Sequence, residues 1–152
     1  MSKINFLKGD FIDHLKSLSV ESKSTFGKMN AHQMVEHFTD SVRLAYGEIK
    51  FESKNPPELR KKMFRFMMSE KPFRENTPNP NMPDEPQNPR FSTFEESLDE
   101  LQLAMTSFFN YFEKNKSVRV ENPFFGNLNF EEQVHLLHKH ALHHLKQFGI
   151  EG

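Results

Sequence analysis

Two segments of this chain share one apolar rhythm, and that rhythm decides the fold class. Phe94, Leu98, Leu101, Met105, Phe108 and Phe112 follow one another in steps of 4-3-4-3-4, as do Phe130, Val134, Leu137, Ala141, His144 and Phe148. Such spacing places every one of these side chains on a single face of an α-helix. A face this long and this apolar is stable only against the face of another element. In the second stripe, a position suited to leucine or phenylalanine holds His144.

Two further long helices follow from the same pattern. Leu7, Phe11, Leu15 and Leu18 mark one over about residues 4–18. Ala31, Met34, Val35, Phe38, Val42 and Ala45 mark another, from the candidate N-cap Asn30 to Tyr46, with Gly47 as its stop. The third helix opens on a capping box, Ser92 with Glu95 or Thr93 with Glu96. The fourth opens on Asn129 with Glu132 and ends at Gly149. A shorter helix is expected from Pro57 to about Met68, with Leu59, Met63, Phe66 and Met67 as its expected buried side. Beyond it, Pro72, Pro78, Pro80, Pro83, Pro86 and Pro89 break up a polar stretch at residues 70–91 that cannot be helical. A loop of that length within a domain is functional or flexible. No solenoid repeat is present, and no strand-like alternation is longer than Ser117–Glu121. The expected architecture is all-α: an antiparallel four-helix bundle with a long Pro-rich crossover between helices two and three, residues 1–152 forming a single domain.

Composition narrows the chemistry. Cysteine is absent, which removes disulfides, thiolate nucleophiles and cysteine-ligated zinc. Lys+Arg number 20 against 21 Asp+Glu, so nothing suggests the cationic footprint that nucleic acid requires. No apolar run approaches the roughly 20 residues of a membrane span. The opening Met1-Ser-Lys-Ile-Asn-Phe lacks the apolar core of a signal peptide, so a cytoplasmic location is expected. There is no Gly-rich phosphate loop, no GxSxG elbow and no HExxH. Paired carboxylates, Glu95/Glu96 and Glu131/Glu132, sit in first helical turns, where the helix dipole favours them.

Histidine carries the remaining chemistry. His140 and His144 stand four apart on the fourth helix, one above the other on the same face. Two imidazoles so placed can grip one metal ion, and a third from another helix completes a three-histidine site. His37, one turn after Met34 in the second helix, is the candidate third arm. Each has a plainer alternative: His144 as a core histidine bonded to a carbonyl or a tyrosine, and His37 as a surface residue beside Glu36. His14 is a reserve ligand. His32 is expected to be solvated or capping, and His135, His138 and His143 to face solvent. With no cysteine available, the metal would be Zn, Ni, Fe(II) or Mn. Gln147 and Glu36 are candidates for supporting the ligands, though the sequence gives neither a role.

Two stretches resemble a known family. Lys28-Met29-Asn30-Ala31-His32-Gln33-Met34-Val35-Glu36-His37-Phe38 resembles the helix-two signature of the DinB-like superfamily. Lys139-His140-Ala141-Leu142-His143-His144-Leu145-Lys146-Gln147-Phe148-Gly149 resembles its C-terminal signature. The likeness is greatest to a branch in which Phe-Gly-x-Leu precedes the fourth helix, here Phe125-Gly126-Asn127-Leu128. The resemblance covers most of the chain, the Pro-rich crossover least. It implies a four-helix bundle, often dimeric, with a divalent metal held by three histidines, which map onto His37, His140 and His144. Some members transfer low-molecular-weight thiols such as bacillithiol, mycothiol or glutathione; others are isomerases or hydrolases, and many have no known activity. The usual tryptophan before helix two is replaced here by Phe26-Gly27, which weakens any transfer of substrate.

The sequence therefore points to a divalent-metal-dependent enzyme of the thiol S-transferase kind, with a small-molecule substrate, no nucleic acid or membrane partner, and a candidate homodimer. A metal-dependent hydrolase or isomerase is the alternative at the same site. A non-catalytic, stress-related metal-binding bundle is the rival from a different class. No catalytic residue beyond the ligands is identifiable.

Overall fold

The three longest helices in this protein begin where a short polar side chain serves the unpaired N–H groups of the first turn. Asn30 accepts from the Gln33 N–H, and Gln33 returns the bond to the Asn30 N–H, a reciprocal capping box. Asn129 and Glu132 form another, and Thr93 accepts from the Glu96 N–H. The computed structural model describes residues 2–19, 21–52, 55–73 and 88–150. Among these residues the chain is mostly helical: α1 (Lys3–Asn5), a π-helical segment (Phe6–Asp10), α2 (Phe11–Lys16), α3 (Ala31–Ala45), α4 (Pro57–Met68), α5 (Phe94–Lys114) and α6 (Phe130–Gln147). No helix among the described residues is long and apolar enough to cross a membrane.

The first helical pattern proves to be three contiguous pieces. At its centre the Phe11 N–H bonds to the Phe6 carbonyl, five residues back rather than four. That widened turn lets Phe6 and Leu7, then Phe11 and Ile12, reach the core as pairs, where the stripe predicts only one residue per turn. The other expected boundaries lie within a few residues of those observed. At α3 the chain leaves through Gly47 with φ 83, and at α6 through Gly149 with φ 76, a left-handed conformation that glycine adopts without strain.

A short antiparallel hairpin interrupts the helices, an addition to the all-α expectation. Strands β1 (Val120–Asn122) and β2 (Gly126–Leu128) pair in the register Val120↔Leu128, Glu121↔Asn127 and Asn122↔Gly126. The Asn122 carboxamide closes the turn by accepting from the Phe124 and Phe125 N–H groups at 2.8 and 3.2 Å. Leu128, fully buried, joins Met67 of α4 and Leu136 of α6 in a small second cluster.

The main core is built from the predicted stripes of α2, α3, α5 and α6, with Leu15, Met34, Phe38, Leu101, Phe108 and Leu145 fully enclosed. α3 packs along α5, and α6 touches α3, α4 and β2. α6 is thus covered on more than one side: besides its stripe, Gln133, His135, Leu136, Lys139 and Gln147 are buried. The Pro-rich crossover falls largely on residues 74–87, which lie outside the described residues, as do Pro78, Pro80, Pro83 and Pro86. Just beyond that stretch, the Arg90 and Phe91 N–H groups donate to the buried Glu36 carboxylate of α3 at 2.7 and 3.1 Å.

Candidate functional site

α3 and α6 meet so that His37, His140 and His144 converge. One ring nitrogen from each lies within 4.8 Å of the other two. The His37 ring stands edge-on to both partners, with centroids 5.2 Å from each. His140 and His144 are 4.5 Å apart, and their Nε2 atoms approach to 2.7 Å. Phe38, next to His37 on α3, packs 5.0 Å from the His140 ring. The three residues singled out by stripe and resemblance are therefore brought together, and His144 is 3 % exposed.

Hydrogen bonds fix the tautomer of His144. Gln147 sits one turn later, and its Nε2 donates to the Phe26 carbonyl at 3.0 Å. Its Oε1 is thereby turned to His144 Nδ1, 2.9 Å away. An amide oxygen only accepts, so Nδ1 carries the proton and neutral His144 presents a lone pair at Nε2. That lone pair faces His140. The Phe26 segment is anchored in turn, because the Thr25 N–H and hydroxyl both donate to the Gln147 carbonyl, at 2.7 and 3.1 Å.

Electrostatics agree with neutral rings. Burial pushes the His37 imidazole down to about 4; Asp40 opposes this and His143 adds to it. Burial, with the neighbouring imidazoles, also holds His140 and His144 well below the ordinary histidine value. Three neutral imidazoles converging on one point, one of them with its tautomer set from behind, form a donor set that fits a divalent cation.

The other histidines depart from expectation. His135, expected in solvent, is buried: its Nε2 donates to the Met67 carbonyl at 2.7 Å, and its Nδ1 lies 2.7 Å from Lys3 Nζ. His32, expected to be solvated or capping, is buried with Nε2 3.1 Å from Glu36 Oε2. His138 is half-buried, its ring 5.2 Å from Phe6. His143 is half-buried against Phe26 and Phe73, with its ring 5.3 Å from His144. His14 is not part of the cluster. Glu36, a candidate support for the ligands, serves another purpose: it gathers Arg90, Phe91 and Ser97. The residues that sequence reasoning missed are Phe26, as the carbonyl that holds Gln147, and Phe73, whose ring lies 6.4 Å from His140. Only the i, i+3 spacing of His144 and Gln147 gave a signal for this support.

Comparison with curated proteins and with solved structures finds no match. Comparison with family models does: residues 10–148 match the model of the DinB superfamily. That span includes all of α3, the hairpin and α6, and with them all three converging histidines. The chain belongs to the DinB superfamily.

Proposed function

We propose that this protein is a divalent-metal-dependent enzyme, with His37, His140 and His144 holding the metal and a low-molecular-weight thiol as its co-substrate. The observation that carries the reading is the convergence of three ring nitrogens within 4.8 Å of one another. When bound, a divalent metal with three histidine ligands keeps open coordination positions and stabilises the deprotonated form of a thiol or water beside it. The chain's own part is to keep the imidazoles neutral and aimed. Gln147 holds the Nδ1 proton of His144, and Phe26 holds Gln147. Phe38 and Phe73 close the flank of His140 with apolar rings and so limit water there. Thiol transfer to an electrophile, rather than hydrolysis, rests on the family resemblance alone.

The reading also takes the four long helices as an antiparallel bundle, residues 70–91 as its crossover, and a homodimer as the assembled form. Size-exclusion chromatography with light scattering tests the last of these. The decisive experiment is elemental analysis of the purified, untagged protein beside a His140→Ala/His144→Ala variant. Near-stoichiometric metal in the parent alone supports the site. Thiol-dependent loss of an electrophile that stops on chelation and returns with metal then supports the transferase. A protein that takes up neither Zn, Ni, Mn nor Fe(II) overturns the whole reading.

A further inference from the structure

A cavity lies away from the histidines, between α4 and the hairpin, with a volume of about 420 Å³. Its wall on α4 carries Arg60, Lys61 and Arg65 with Phe64, and its opposite wall carries Arg119 and Phe125. Positions 60, 61, 64 and 65 form one face of a helix, so the sequence itself aims these cations together. Among the described residues no acid lines the cavity, although the whole chain has 20 Lys+Arg against 21 Asp+Glu. Four like charges around one hollow repel one another unless a counter-charge answers them.

That counter-charge is incomplete among the described residues. Arg60 Nη1 pairs with the exposed Glu121 at 3.0 Å, and Arg119 Nη2 with Glu132 at 3.2 Å. Among the described residues the exposed Lys61 and Arg65 have no ion-pair partner, and Arg60 Nε is buried without a hydrogen-bond acceptor. Guanidinium groups match the paired oxygens of phosphate and carboxylate, and the two phenylalanine rings offer apolar surface beside them. The size suits a small molecule. Phe125 faces Phe73 at 6.4 Å, and Phe73 faces His140 at 6.4 Å, so two rings separate the cavity from the histidine cluster.

We propose that this cavity is a binding site for a small polyanion, one bearing two or more phosphate or carboxylate groups. The site is independent of metal at the histidines. Calorimetric titration with pyrophosphate and with citrate tests it and separates phosphate from carboxylate as the recognised group. Two variants of equal charge change are compared: Lys61→Ala/Arg65→Ala in the cavity wall, and Lys62→Ala/Lys23→Ala at exposed positions outside it. Thermal melts establish that both are folded. Saturable one-site binding of either probe, weakened about tenfold or more in the first variant and unchanged in the second, supports the site. Equal weakening in both variants reports only net charge and overturns it. So does an absence of binding, or binding confined to a long oligonucleotide.

Discussion

Gln147 decides which nitrogen of His144 faces the cluster, and this makes it the most informative residue to change. Gln147→Leu removes the acceptor at Nδ1 and frees the imidazole to take either tautomer. Metal affinity is then expected to fall about 10- to 100-fold, measured by competition with a chromophoric chelator. Gln147→Glu keeps the acceptor at Nδ1 but loses the donor to the Phe26 carbonyl, and should recover only part of the loss. Lys139 makes a second test. Its ammonium donates to the carbonyls of Phe66, Met67 and Ser69 at the end of α4, at 2.8, 3.3 and 3.3 Å. Lys139→Met removes all three bonds; Met67 keeps His135 and Phe66 keeps Ser69, but the Ser69 carbonyl loses its donor, and denaturant unfolding should show a loss of about 1–3 kcal/mol. Histidine at position 135 reads as solvent-facing because residue type alone was visible, and nothing local marks Lys139 as buried. Their partners are backbone carbonyls some seventy residues away, which no local pattern announces.

At the scale of elements, caps and stripes were legible because both are local. Asn30, Asn129, Thr93, Gly47 and Gly149 all stand where the structure starts or stops a helix. Asn129→Ala deletes one half of a capping box and is expected to lower stability by about 1 kcal/mol, read from the urea midpoint. The features that escaped are those a one-face pattern cannot express. A stripe assumes that a helix has one buried side, whereas α6 is covered by the main core and also by α4 and β2. Strands three residues long carry too little alternation to detect, and the π-helical turn at Phe6–Asp10 shifts the register that a regular helix would keep. The candidate site was legible for a related reason: His140 and His144 interrupt or adjoin a stripe, whereas the carbonyl of Phe26 that steadies Gln147 carries no side-chain signal.

For the whole molecule, the neutral histidines tie stability to pH with a definite sign. In the metal-free protein His37 takes up a proton only near pH 4, while in the unfolded chain it does so near the ordinary value of 6.5. Between those values the unfolded chain binds more protons, so stability is fully present above about pH 6.5 and falls as the solution is acidified. His140 and His144 act in the same direction, because burial lowers them as well. Glu36 adds to the trend: burial raises its carboxyl, but hydrogen bonds from Arg90, Phe91 and Ser97 bring it below the usual carboxylate value, and that support is lost in acid. His37 alone contributes at most about 3 kcal/mol across the window, less to the extent that it is half-buried rather than sealed. Melting curves of the chelated protein from pH 8 to pH 4 should therefore slide steadily downward, with a shallower slope in His37→Leu. Added metal should raise the curve near neutrality, where the imidazoles are free to bind it, and should lose its effect as protons compete at low pH. A chelated protein that grows more stable on acidification would contradict the burial of these rings. A metal effect that persists unchanged in His140→Ala/His144→Ala would place the ion elsewhere.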